Sequence, residues 1–265
     1  MIAMVWLQAL LLGLVEGATE FLPVSSTGHL IIASDWLHFP EAQRATFEIF
    51  IQLGAILAVY WHYRRELLAL AAGATREPVA RDLVGKLLLA FLPAAAVGFV
   101  AHHWIEAHLF SVPAVAWALI VGGVLMWIID RAPRTASVHR IEAVGWRAAL
   151  AIGAAQVVSL FPGMSRAAAT IVGGLLAGLD RPTATQFSFY LALPTLTAAS
   201  LYSLLKALGD IDAGAAGALA VGFVAAFVTA LAVIRVFLRY VQTHDFVPFA
   251  IYRIAFGLLL LLWGR

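Results

Sequence analysis

Phe21-Leu-Pro-Val-Ser-Ser-Thr-Gly28 breaks an apolar stretch that runs from residue 2 to 37, and Phe161-Pro-Gly-Met-Ser-Arg166 breaks a second from 146 to 179. Each stretch is too long for one membrane crossing and is interrupted in its middle by proline and small polar residues. Proline removes a backbone donor and disfavours helix at the preceding residue, so each region reads as two half-helices joined by a tight bend. Within a membrane such a bend is tolerated only where its backbone faces protein or a wet cavity. The simpler reading is a pair of kinked spanning helices, since proline is common in membrane helices.

Composition places the rest of the chain in lipid. Hydrophobic residues make up 63% of the 265, charged residues 12%, and the mean hydropathy is +0.93, too little polar surface to coat a soluble globule. Glu16, Glu20, Ser25, Ser26 and His29 interrupt the first apolar run, which lacks a small-residue cleavage pattern and is read as part of the mature protein. With no cysteine, neither a disulfide framework nor a thiolate metal site is available. A net charge of +2 gives no reason to expect a nucleic-acid partner.

Six further segments are long enough to cross a hydrocarbon core of about 30 Å as helices. They fall near 44–63, 82–102, 112–130, 184–206, 216–239 and 247–264. Basic residues gather in three places: Arg64, Arg65, Arg76, Arg81 and Lys86; Arg131, Arg134, Arg140 and Arg147; and Arg235 with Arg239. The loop from 103 to 111 has no Lys or Arg. If the six long segments cross and the two broken ones return to the side they entered from, all three clusters lie in the cytoplasm. The bare loop and both termini then lie outside.

The expected fold is an all-α polytopic membrane domain with six transmembrane helices, two re-entrant helix pairs and an inverted-topology repeat, 1–135 against 141–265. At an offset near 140, Gly13-x-x-Glu16 aligns with Gly153-x-x-Gln156, Phe21 with Phe161, and Phe47, Leu53 and Gly54 with Phe187, Leu193 and Pro194. Pro23-Val-Ser-Ser26 faces Pro162-Gly-Met-Ser165 after a one-residue loss, and Val112-Pro113 and Gly122 face Val247-Pro248 and Gly257. Three crossings per half turn the second half upside down, so that the two bends meet tip to tip near the midplane, as in secondary transporters. Chance similarity among Ala, Leu and Gly is the competing account.

Glu16 and Glu20 lie one helical turn apart on one face. Carboxylates in lipid need compensation. A divalent cation completed by substrate phosphate would supply it, because Mg²⁺ binds through one or two carboxylates plus phosphate; hydrogen bonds to neighbouring backbone are the alternative. Ser25, Ser26 and Thr27 open the second half-helix, where free amides and the dipole favour an anion, although serine there is also a plain N-cap. His29, three residues after Ser26, is placed to take the hydroxyl proton or to protonate a leaving oxygen. Arg166 lies too deep to snorkel and needs an anion, either Glu16 or Glu20 or a substrate phosphate held bidentately, with Ser165 and Thr170 as secondary ligands. Together these groups read as phosphoryl chemistry. A transporter or flippase of a lipid phosphate or small anion, built on the same repeat, is the alternative from another class.

Glu16-Gly-Ala-Thr-Glu-Phe-Leu-Pro-Val-Ser-Ser-Thr-Gly-His29 and Pro162-Gly-Met-Ser-Arg166 resemble the two signature motifs of the undecaprenyl pyrophosphate phosphatases, the bacterial bacitracin-resistance family. Phe47-Glu-Ile-Phe-Ile-Gln-Leu-Gly54 and Val247-Pro-Phe-Ala-Ile-Tyr-Arg253 are similar too, so the resemblance spans nearly the whole chain. It implies removal of the terminal phosphate of undecaprenyl pyrophosphate in the bacterial cytoplasmic membrane, at a site open to the outer face. It also implies a divalent metal, Mg²⁺ with Ca²⁺ as the alternative, a lipid pyrophosphate as partner, and leaves a homodimer open. Glu16, Glu20, Ser26, His29 and Arg166 match the family's functional residues. Ala167 stands where the second motif commonly has another Ser.

Overall fold

The structure, a computed structural model, describes residues 2–133, 135–207 and 216–263. Arg134 of the second basic cluster and Gly264 at the end of the last expected span lie outside the described residues. Among the described residues the chain is a helical bundle: α1 (Ile2–Thr19), α2 (Ser26–Trp36), α3 (Glu41–His62), α4 (Arg64–Gly73), α5 (Pro78–Leu109), α6 (Val112–Arg131), α7 (Trp146–Val157), α8 (Arg166–Leu176), α9 (Arg181–Ala207), α10 (Ala216–Tyr240) and α11 (Val247–Trp263).

Five of these, α3, α5, α6, α9 and α10, contain segments long and apolar enough to cross a membrane. The described part of α11 has 17 residues that reach about 26 Å at 1.5 Å per residue. α5 is longer than the expected span, with 32 residues that run past its end and through most of the loop that has no Lys or Arg. The first basic stretch, expected as a loop, carries α4. Large apolar side chains face outward all round the bundle, among them Phe99 and Val100, 81% and 85% exposed. A water-soluble protein does not tolerate so much contiguous apolar surface.

Both apolar regions break where the sequence places the bends. α1 stops before Glu20, and α2 begins after Pro23 and a left-handed Ser25 with φ of 72°. α7 passes through a short 3₁₀ turn at Val158–Leu160, and α8 begins after Pro162, Gly163 with φ of 94° and Ser165 with φ of 65°. Proline alone does not make these breaks, because Pro93 and Pro194 sit inside continuous helices. A left-handed serine directly before a helix distinguishes the two bends. L-residues pay for that conformation in backbone energy, and both serines adopt it immediately before the second half-helix, which pairs Ser25 with Ser165 and Ser26 with Arg166, one residue out of the register expected from Pro23 and Pro162.

α1 packs along α10 and α7 along α5, and in each pair a glycine brings backbones into contact. A Cβ at Gly13 would collide with the Gly222 carbonyl, and one at Gly153 would come 2.5 Å from the Ala90 carbonyl. The core is rich in aromatic residues: Phe21, Phe187, Phe189, Phe237 and Phe246 are fully buried, and Phe21 of the first bend meets Phe189 edge to face at 5.5 Å.

Candidate active site

The carboxylate pair is set by the end of α1. The Glu20 amide donates to the Glu16 carbonyl at 2.9 Å, which keeps the two residues one turn apart as the chain leaves the helix. Both side chains are buried, Glu16 at 1% exposure.

Glu20 is where the two halves of the chain meet. The Ser26 hydroxyl, on the first residue of α2, donates to Glu20 Oε2 at 2.6 Å. Arg166, on the first residue of α8, donates from Nη2 to Glu20 Oε1 at 3.3 Å. At that distance the contact is longer than the usual 2.7–2.9 Å of a charge-assisted bond. Arg166 Nη1 also donates to the Ser188 carbonyl and hydroxyl, both at 3.3 Å, and its guanidinium lies 5.5 Å from the Phe21 ring centre.

A cleft of ≈ 220 Å³ opens over these groups, with Glu20, Ser25, Ser26, Thr27, Ser165 and Arg166 in its wall. The first residues of α2 and α8 therefore face one space, and helix starts offer unpaired amides and a positive dipole end. Ser165 also caps α8, its hydroxyl accepting from the Ala168 amide at 3.2 Å.

Three predicted residues are not in the cleft wall: Glu16, Thr170 and His29. Thr170 donates to the Arg166 carbonyl at 2.9 Å and bonds the Ser188 hydroxyl at 2.6 Å, so it braces the arginine and its support. His29 does not reach Ser26. Its Nδ1 bonds the Ser25 carbonyl at 2.7 Å and its Nε2 the Tyr252 hydroxyl at 2.6 Å, with the ring stacked 4.3 Å from Phe256. A carbonyl only accepts, so Nδ1 carries the proton, and in the neutral ring Nε2 accepts from Tyr252. The Ser26 hydroxyl, expected beside His29, is hydrogen-bonded to Glu20 instead.

Sequence reasoning missed Ser188, Tyr252 and Gln52. Gln52 lines the cleft and accepts from the Ser200 hydroxyl at 2.9 Å. It falls in the quoted segment Phe47 to Gly54, one helical turn after Glu48, and a polar stripe inside an apolar span was the available signal.

Glu16 Oε1 and Arg166 Nε are buried without a hydrogen-bond partner. Among the described residues no group of three or more His, Cys, Asp or Glu is placed to hold a metal ion. Two carboxylates with one orphaned oxygen fit the protein's share of a Mg²⁺ shell that phosphate oxygens would complete.

The fold and the site define a class: a multi-pass helical membrane protein whose buried cleft carries hydroxyls, a carboxylate and a guanidinium at two facing helix starts. Residues 9–259 match the family described as bacitracin resistance protein BacA, and the chain belongs to that family. It is 51% identical over 256 residues to the undecaprenyl-diphosphatase of Methylococcus capsulatus, covering 97% of this chain and 94% of that one. It is 52% identical over 256 residues to undecaprenyl-diphosphatase 2 of Rhodospirillum rubrum, covering 96% and 93%. The undecaprenyl-diphosphatase of Thermoanaerobacter pseudethanolicus is 48% identical over 257 residues, covering 97% and 96%.

Proposed function

We propose that the protein hydrolyses undecaprenyl pyrophosphate to undecaprenyl phosphate and inorganic phosphate, returning the lipid carrier to cell-wall synthesis and conferring bacitracin resistance. The observation that carries this reading is Glu20, which accepts from the Ser26 hydroxyl and from Arg166 at once. That arrangement sets a nucleophile, its base and an anion-binding cation around one carboxylate.

Ser26 Oγ attacks the terminal phosphorus and passes its proton to Glu20, which already holds it at 2.6 Å. The bond to the bridging oxygen breaks, undecaprenyl phosphate leaves, and a water molecule hydrolyses the phosphoserine. Arg166 and the first amides of α2 and α8 stabilise the equatorial oxygens, which is most of what phosphoryl transfer asks of a protein. Ser25, Thr27 and Ser165 orient the phosphate, and Thr170 holds Arg166 through Ser188. His29 fixes the Ser25 carbonyl at the entry to α2. Glu16 and Glu20 would hold a divalent cation, Mg²⁺ or Ca²⁺, whose chemistry there is charge neutralisation on the pyrophosphate. In the competing route Glu20 activates water and Ser26 only positions phosphate.

The architecture that serves this chemistry has six crossings, with α11 as the sixth, and two re-entrant pairs, α1–α2 and α7–α8, in an inverted repeat of 1–135 and 141–265. Supporting it, α1 packs on α10 as α7 does on α5, and α3 on α10 as α9 does on α5. α2 and α8 have 11 residues each behind matching left-handed serines. Lys86 of α5 donates to the Glu142 carbonyl, which joins the first two basic clusters and favours a shared cytoplasmic side. The protein then lies in the bacterial cytoplasmic membrane with both termini and the cleft mouth toward the outer face, as a monomer or a homodimer.

Phosphate release from a short polyprenyl pyrophosphate in detergent, with and without EDTA, tests the function. Trapping labelled phosphoserine separates serine attack from water attack. No release from any such substrate would favour a transporter or flippase of a lipid phosphate or small anion.

A further inference from the structure

Arg253, in the middle of α11, is fully buried, at 0% exposure, and every hydrogen bond described for it goes to a backbone carbonyl. Nη1 donates to Pro23 at 3.3 Å and Met164 at 3.0 Å, and Nη2 to Gly163 at 3.1 Å and Ala118 at 3.4 Å. Nε reaches the Leu119 carbonyl at 3.5 Å. The two bends, far apart in sequence, thus share one guanidinium. The fold also makes room for it: a Cβ at Gly122 of α6 would collide with Arg253 Nη2. A buried cation is costly unless compensated, and three of these five carbonyls belong to the bends.

In a trans peptide the N–H points opposite the C=O. Holding the Met164 carbonyl therefore turns the Ser165 amide to the other side of the bend, and Ser165 lines the cleft. The left-handed φ at Ser165 continues this into the first amides of α8, the kind of concave run of N–H groups that binds anions. At the first bend the grip on the Pro23 carbonyl fixes the approach to Ser25 and Ser26, while the Val24 amide stays inside the bend, donating to the Leu22 carbonyl at 2.8 Å.

We propose that Arg253 is a positioning residue for phosphoryl transfer: it holds the carbonyls behind both bends so that the amides and Ser26 and Arg166 in front of them are fixed relative to one another. The inference rests on the phosphatase reading above, and its role is exerted through the bends and not by contact with substrate.

The test compares Arg253→Lys, Arg253→Gln and Arg253→Met with Gly122→Ala, which keeps the guanidinium but displaces it. Turnover of a polyprenyl pyrophosphate is measured alongside direct calorimetric binding of orthovanadate, a phosphoryl mimic, on monodisperse protein. Arg253→Met should lose roughly 10²-fold in kcat, the scale of one misplaced oxyanion donor, with KM for the lipid within about threefold and vanadate binding weakened by a factor similar to that in kcat. Lys should recover part of the loss, Gln less, and Gly122→Ala should resemble Gln. Arg253→Met with wild-type turnover and vanadate affinity overturns the proposal, as does a loss that only follows the folded fraction. If the wild-type protein releases no phosphate, the phosphatase reading falls, and vanadate affinity across the variants still judges this one.

Discussion

Replacing Glu20 in two different ways should separate its chemical role from its structural one. In Glu20→Gln the remaining carbonyl oxygen can accept from Arg166 while the new amide donates to the Ser26 hydroxyl, which is free to turn and accept. Both contacts survive in altered form, so the cost in stability should be about 1 kcal/mol, that of one weakened hydrogen bond. The serine, however, has lost its proton acceptor, and kcat should fall by roughly 10²–10⁴. Glu20→Ala removes both contacts. Arg166 and Glu20 have side chains only 8% and 6% exposed, and a buried pair broken from one side typically costs about 3–5 kcal/mol. The 3.3 Å contact is long and Ser188 still holds the guanidinium, which points to the lower end, about 3 kcal/mol. Adding Arg166→Met to Glu20→Ala removes the stranded cation and should recover most of that loss, since the two effects are coupled. The assay is thermal unfolding in detergent followed by tryptophan fluorescence, with phosphate release on the same samples. Near-normal turnover in Glu20→Gln would refute Glu20 as the base, and equal stability of the alanine single and double variants would refute the dependence of Arg166 on it.

Other outcomes follow from single contacts. Gly153→Ala would place a methyl 2.5 Å from the Ala90 carbonyl; separating α7 from α5 should cost about 1–3 kcal/mol and lower the unfolding temperature measured by tryptophan fluorescence. Ser165→Ala keeps the left-handed backbone but loses the cap on Ala168, so it should lose about 1 kcal/mol, whereas Ser165→Gly should lose less because glycine accepts that φ freely. Chelation with EDTA should abolish phosphate release, and added Mg²⁺ should restore it; Glu16→Gln should raise the Mg²⁺ concentration needed for half-maximal turnover.

The bends were legible because Pro23 and Pro162 interrupt apolar runs beside polar clusters, and polar side chains in lipid stand out against their surroundings. Helical spacing was enough to pair Glu16 with Glu20. The contact between Ser26 and Glu20 spans six residues across a bend, where no periodicity applies, and Arg166 could be brought to it only through the repeat. The contacts of His29 escape local spacing for a related reason: position along a helix places it within a turn of Ser26, but its partner Tyr252 lies 223 residues away. Arg253 stands out as a charge inside the last span, but its partners are carbonyls, which every residue carries, so nothing in the sequence says what it holds. The basic residues of α4 mark the side of the membrane and say little about local conformation, so its helix is not legible beside them.

Because Glu20 and Arg166 are separated by 146 positions, the site has an order of assembly. Ribosomes deliver α1 and α2 with both carboxylates long before α8 exists. Until the second bend inserts, those acids must stay near water, at the insertion machinery or the membrane surface, or be shielded by another protein. A nascent chain arrested before residue 166 should therefore carry Glu16 and Glu20 open to water-soluble carboxyl reagents, and the finished chain should protect them.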